Sequence, residues 1–189
     1  MAFPVNTTAL PSPSLVERAL VPYHYFDAFA VQVPSGTFGG VDEFARASTA
    51  LPRWVELLMA LRNRIVRVFG LKTEPASPPR DAGDAIEPGG AVGIFLVLAR
   101  SVDEILTGLD DKHLDFRFSL LLQRHADGER AVATTTVRFK NVWGRLYFAL
   151  VKPFHKLIIA AMLRGAVATR LRNARRTRPW TRALLTRRR

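Results

Sequence analysis

Residues 113–139 read His113-Leu114-Asp115-Phe116-Arg117-Phe118-Ser119-Leu120-Leu121-Leu122-Gln123-Arg124-His125-Ala126-Asp127-Gly128-Glu129-Arg130-Ala131-Val132-Ala133-Thr134-Thr135-Thr136-Val137-Arg138-Phe139. Polar and apolar side chains alternate from His113 to Leu120, the period of a strand with one buried face. Asp127-Gly128 is a hairpin signal, and the β-branched run from Ala131 completes an antiparallel pair. Upstream, residues 92–99 form a continuous apolar run of strand length, as expected of a central strand covered on both faces, and residues 105–109 give a shorter strand. The earlier segment 25–33 has strand composition and ends at Pro34. Downstream, Asn141 can cap a helix over residues 142–172, which Pro153 should kink or divide by removing an interior hydrogen bond. Five strands and a long terminal helix, each with an apolar face to bury, predict an α+β domain. In it a curved antiparallel sheet wraps around the C-terminal helix, and any cavity lies between them.

The remaining segments fit around that core. Residues 1–20 are rich in Pro, Ser and Thr and read as a flexible arm. Residues 35–40 form a glycine-rich loop, after which Asp42 and Glu43 fall in the first turn of a helix, where they complement its dipole. Pro52 opens a helix whose residues Trp54, Leu57, Leu58, Leu61, Ile65, Val68 and Phe69 make one buried stripe, closed by Gly70. Residues 73–90, with four prolines and three glycines, read as an exposed loop. The expected organisation is thus a single domain over 21–172, followed by a basic, disordered tail over 173–189.

Charge is segregated along the chain. Up to Glu129 there are twelve basic and sixteen acidic side chains; the 60 residues after it carry sixteen basic and no acidic ones, giving the net +12. Cysteine is absent, which removes disulfides, thiolate metal sites and cysteine nucleophiles and fits a reducing compartment. No secretion signal is read at the N-terminus, so a cytoplasmic location is expected, peripheral to the inner membrane if the tail binds lipid. Residues 146–163 are apolar over a near-spanning length, but Lys152 and Lys156 lie near their middle, where each costs about 2.5–3.5 kcal/mol on insertion. A helix packed on a core, or lying in a membrane interface, is the better reading.

Four stretches carry a resemblance: Tyr25-Phe26-Asp27-Ala28-Phe29; Trp54-Val55 with Leu61-Arg62-Asn63-Arg64-Ile65-Val66; Lys112-His113-Leu114-Asp115-Phe116-Arg117; and Lys152-Pro153-Phe154-His155. Together they resemble a bacterial family known as domain of unknown function 2867, over residues 20–163. The family has no agreed activity. It is similar to the helix-grip superfamily of lipid-transfer-like and pollen-allergen-like proteins, and the resemblance implies an apolar or amphipathic ligand held between sheet and terminal helix.

Several residues are candidates for chemistry. His113, Asp115 and Arg117 alternate on one strand face, about 7 Å apart; His113 and Asp115 could transfer a proton and Arg117 hold an anionic group, or the three are the solvent face opposite Leu114, Phe116, Phe118 and Leu120. Asp27 stands in an aromatic and apolar strand and needs a partner, for which Arg62, Arg64 and Arg117 are available. A structural ion pair is the simpler reading and catalysis the other. Ligand-binding candidates are Phe116, Phe118, Arg117, Phe154, His155 and Leu157. The loop over residues 36–40 could cradle phosphate with its amides, but it lacks a nucleotide-binding spacing and reads more simply as a tight turn. No metal-ligand spacing is present, and no cofactor is expected. In the tail, Arg170, Arg172, Arg175, Arg176, Arg178 and Trp180 are candidate contacts to an anionic membrane, with nucleic acid the less favoured partner because one Trp offers little stacking; a solvated tail is the alternative. Three functions follow: a binder of a small hydrophobic or amphipathic molecule; an enzyme acting on such a molecule by hydration, cyclisation or isomerisation; or an adaptor that uses its basic tail.

Overall fold

A computed structural model describes residues 3–49, 54, 86–93 and 95–176. The helix expected over residues 52–70, with Trp54 its one described position, and the loop up to residue 85 lie outside the described residues, as does the chain beyond 176. Seven described strands form one antiparallel sheet: β1 (Val5–Thr7), β2 (Tyr25–Val33), β3 (Ala91–Val92), β4 (Phe95–Arg100), β5 (Glu104–Asp110), β6 (Leu114–His125) and β7 (Gly128–Phe139), in spatial order β1-β2-β7-β6-β5-β4-β3. Two short helices, α1 (Leu15–Ala19) and α2 (Val41–Thr49), precede the main strand run, and the long α3 (Val142–Arg176) follows it. This is the expected α+β, helix-grip arrangement, with two more strands than the sequence suggested.

The β6–β7 hairpin is the centre of the sheet. Every residue of β6 pairs with β7, from Leu114↔Phe139 to His125↔Gly128, so the loop is only Ala126-Asp127. Gly128 opens β7 instead of sitting in the turn, and its lack of a side chain is required there: a Cβ would lie 2.7 Å from the Val33 carbonyl oxygen of β2. With period two, Phe118, Leu120 and Leu122 of β6 and Ala131 and Ala133 of β7 share one face with Phe29 and Val31 of β2. On that inward face α3 lays Ile159, Met162, Leu163, Ala166 and Val167, while its first turns pack Tyr147 and Phe148 on Leu114 and Val137. Burial of each such side chain contributes about 1.5–3 kcal/mol, so helix and sheet stabilise one another.

Four expectations change. The helix is unbroken through Pro153; Pro153 and Ala149, whose carbonyl loses its partner, are both exposed, so water can satisfy that oxygen. The apolar run 92–99 is two strands, separated at Gly93 (φ +60°), and Leu96 and Leu98 are exposed instead of covered. The N-terminal arm is not loose. β1 pairs with β2, Ser14 caps α1 by accepting from Glu17 N, and the buried Glu104 carboxylate accepts from Leu15 N at 2.6 Å and Val16 N at 3.2 Å. That carboxylate ties α1 to the outward face of the sheet. The sequence places residues 173–176 in the tail, but they continue α3.

The start of α3 is fixed by contact. Asn141 caps it, its side-chain oxygen accepting from Gly144 N at 3.1 Å, and a Cβ on Gly144 would stand 2.2 Å from the His113 carbonyl oxygen. Helix propensity favours Gly144→Ala by about 1 kcal/mol, whereas the overlap must displace the helix start at a cost of about 1–3 kcal/mol or more. The variant should therefore melt at a lower temperature than the wild type; a raised melting temperature would show that the close approach does not constrain α3.

Candidate functional site

The strand register aligns residues across the inward face. One row runs Asp27, Thr135, Phe118, Thr107, Val97 over β2, β7, β6, β5 and β4; the next runs Tyr25, Val137, Phe116, Leu109. The first row begins with a carboxylate and reaches an aromatic ring two strands, or about 10 Å, away. Asp27 is held in detail: its Oδ2 accepts the Tyr25 hydroxyl at 2.7 Å, and its Oδ1 lies 3.2 Å from His155 Nε2 on α3. The same Nε2 is 3.1 Å from Thr135 Oγ1. One helical turn earlier, Lys152 Nζ sits 4.7 Å from the centroid of the Tyr25 ring. The Asp27 side chain is 10% exposed and that of His155 21%.

Burial alone would raise the Asp27 pKa, but the hydrogen bond and charge of His155, aided by Tyr25 and Thr135, outweigh it and hold the carboxyl below its ordinary range. The Tyr25 hydroxyl is pushed well upward, by burial first and then by its hydrogen bond to Asp27 and that group's charge, so it remains a donor. An ionised Asp27 takes a proton-bearing Nε2 of His155 as its donor and so fixes how the ring is turned. A carboxylate that orients an imidazole in this way is the arrangement general-base chemistry requires.

Beside this polar group lies an aromatic floor. The Phe95 ring meets Phe116 edge-on at 5.3 Å and Phe118 at 6.4 Å between centroids. Phe95 and Phe116 are half-buried, and Leu109 is exposed. On the opposite face of the sheet an open groove of about 500 Å³ is lined by Ser14, Leu15, Arg18, Asp103, Glu104 and Gln123, among others. Its Glu104 is already bonded to α1 and to Ser119 Oγ at 2.5 Å.

The three catalytic candidates from the sequence do not converge. Asp27 is on the inward face, but His113 precedes β6 and bonds the Asn141 side chain. Asp115 faces outward, with a side chain only 2% exposed between Arg138 at 2.9 Å and Lys140 at 2.6 Å. Burial opposes ionisation of Asp115, yet Lys140 and Arg138 keep its carboxyl below the usual range. Arg117, also outward, pairs with Asp110 at 2.6 Å and serves neither Asp27 nor a ligand on the helix side; Arg62 and Arg64 lie outside the described residues. Among the ligand candidates, Phe116, Phe118 and His155 face the space between sheet and helix. Phe154 and Leu157 do not: they are 41% and 59% exposed on the outer side of α3. Arg170 is taken up inside the fold by Glu43 and the Thr37 carbonyl, Arg172 is exposed beside Thr169, Arg175 and Arg176 end α3, and Arg178 and Trp180 lie outside the described residues. The glycine loop binds an anion of its own, since Gly36 N and Phe38 N both donate to the Glu129 carboxylate at 3.1 Å. Among the described residues no cluster of three His or carboxylate side chains could hold a metal ion.

Sequence reasoning missed Tyr25, Thr135 and Lys152. The signal for Tyr25 was there, because residues 25 and 27 of a strand share a face.

Strand order and the gripped helix define a helix-grip protein whose inner face joins an aromatic floor to a carboxylate–imidazole pair. By sequence, the family described as protein of unknown function (DUF2867) matches residues 20–162, and the chain belongs to that family. Among solved structures it is similar to the di-domain ARO/CYC StfQ from the steffimycin biosynthetic pathway, at 16% identity and a TM-score of 0.39, over 79% of this chain and 52% of that one. The chain thus spans about half of that protein. It is also similar to CalU16 from Micromonospora echinospora, at 13% identity and a TM-score of 0.31, over 90% and 93% of the two chains. Among curated proteins none matches.

Asp27→Ala leaves the Tyr25, Thr135 and His155 donors without their acceptor and should cost about 1–3 kcal/mol near neutral pH. The folded carboxyl titrates below its ordinary 3.8, so its stabilisation is complete above that value and is lost as pH falls through the folded one. Urea unfolding should therefore show a wild-type advantage near pH 7 that shrinks near pH 3. A difference that stays constant would mean that Asp27 is not held as an ion.

Proposed function

We propose that this protein binds a small amphipathic molecule between the sheet and α3. Its apolar part lies over Phe95, Phe116 and Phe118, and its polar end meets Asp27, Thr135 and His155. The observation that carries this reading is the row on the inward face, which passes from Asp27 and Thr135 to Phe118 within two strand spacings. The incompletely covered Phe95, Leu109 and Phe116 beside it supply apolar surface of the kind that lines small-molecule sites, next to a few convergent polar groups.

Native mass spectrometry of freshly purified protein, with organic extraction, should reveal a copurified species that is released on denaturation. An added amphipathic probe, 1-anilinonaphthalene-8-sulfonate, should bind if the protein is isolated empty. Phe116→Trp fills the floor and should abolish both signals while the fold persists. Undiminished binding in a folded variant would place any ligand elsewhere.

The 3.2 Å contact between Asp27 and His155 favours a second reading, in which His155 moves a proton on the bound molecule, as hydration, cyclisation or isomerisation would require. Incubation of the loaded protein in D2O distinguishes the two. Deuterium should enter the extracted molecule at carbon with wild-type protein and not with His155→Gln. Equal incorporation, or none, in both proteins would leave binding without catalysis.

A further inference from the structure

α3 has a second apolar face, turned away from the sheet and from His155. Val142, Trp143, Leu146, Leu150, Phe154 and Leu157 are 41–69% exposed along it. Trp143, Leu150 and Leu157 recur every seven residues with Leu146 and Phe154 between them, so they form one stripe about 22 Å long. Along one flank run Arg145, Lys152 and Lys156, at spacings of seven and four. Arg145 and Lys156 are exposed and pair with no carboxylate among the described residues.

We propose that this outer face of α3 docks on an anionic lipid surface, lying in the plane of the bilayer while the opposite face stays packed on the sheet. By length and composition the helix could cross a membrane, but Leu163 and Ala166 are wholly buried against the sheet, and a spanning helix would have to abandon that packing. A contiguous exposed apolar stripe on a soluble fold marks an interaction surface, and charge decides which. No Asp or Glu follows Glu129, so antiparallel self-association about a two-fold axis would bring two rows of cations together, and in either orientation neither helix offers a counter-charge to them. Anionic headgroups neutralise the same row, and each exposed Lys or Arg adds attraction there. Leucine and phenylalanine inserted at headgroup depth, with a Trp at the interface, supply the apolar signal that a peripheral helix combines with its charge.

Cosedimentation of the full chain with vesicles tests this. Vesicles of phosphatidylcholine and phosphatidylglycerol should retain the protein, and vesicles of phosphatidylcholine alone should retain little. L150E/L157E, at exposed positions, should keep the wild-type melting curve and lower the bound fraction by at least about tenfold. R145E/K156E should weaken binding and flatten its dependence on salt. Three results would overturn the proposal: binding that L150E/L157E leaves unchanged, which assigns attachment to the Arg-rich C-terminal sequence; no retention on either vesicle; or a dimer in analytical ultracentrifugation that L150E/L157E dissociates, which gives the face to a second copy.

Discussion

The register of the β6–β7 ladder is the constraint on which the rest of the structure depends. Because successive side chains of a strand alternate between faces, a slip of one residue would turn Asp115, Arg117 and Ser119 toward α3 and expose Phe116, Phe118 and Leu120. The short Ala126-Asp127 loop and the close passage of Gly128 beside Val33 exclude that slip. Once this register is set, β2 pairs with β7 so that Asp27 stands opposite Thr135, and the row from carboxylate to aromatic floor follows from it. The polar group on the inner face is thus a by-product of register, and a residue's parity in its strand decides whether it can belong to it.

The second constraint is that α3 is apolar on more than one side. One side completes the core, and its cost if exposed explains why the helix survives Pro153: the proline faces water, where the orphaned carbonyl can be hydrated, while Ile159 to Val167 remain packed. The same composition leaves the outer stripe from Trp143 to Leu157 41–59% exposed. His155 and Leu157 are only two residues apart, yet they lie on opposite sides of the helix, so the proposed ligand contact and the proposed surface contact make separate demands on it.

Much of the fold was legible in the sequence because alternation and strand punctuation report burial directly. The strands at 25–33, 105–109, 113–123 and 131–139 and the long terminal helix follow from period, β-branching and turn residues; the register carries the last two to His125 and back to Gly128. β1 and α1, three and five residues long, carry too few positions for a period to show; what orders them is a ladder to β2 and the Glu104 carboxylate, both distant in sequence. The candidate site was half legible. Asp27 stood out as a carboxylate in an apolar strand, but its partner is 128 residues away and is a histidine instead of an arginine. By sequence Phe154 and Leu157 are as good candidates for a ligand site as His155, because a helix apolar on two sides shows no single inward direction, and only the sheet's position reveals which side is inward. Arg170, one of several similar arginines by sequence, is singled out by Glu43 on α2.

Among the described residues four carboxylates are nine-tenths or more buried, and their partners separate them. Glu104 is bound by the first amides of α1 and by Ser119; Glu129 by the amides of Gly36 and Phe38; Asp115 by Arg138 and Lys140. Backbone amides cannot leave without unfolding a loop or a helix end, and Asp115 sits between two cations on the face away from α3. These three are anchors. Asp27 depends instead on a tyrosine, a threonine and a histidine, groups that can rotate, exchange a proton or take a new partner without any change in the backbone. It is also the carboxylate aligned with the aromatic floor. If a bound molecule meets one of these buried carboxylates, the energetics of the other three leave Asp27 as the one that can respond.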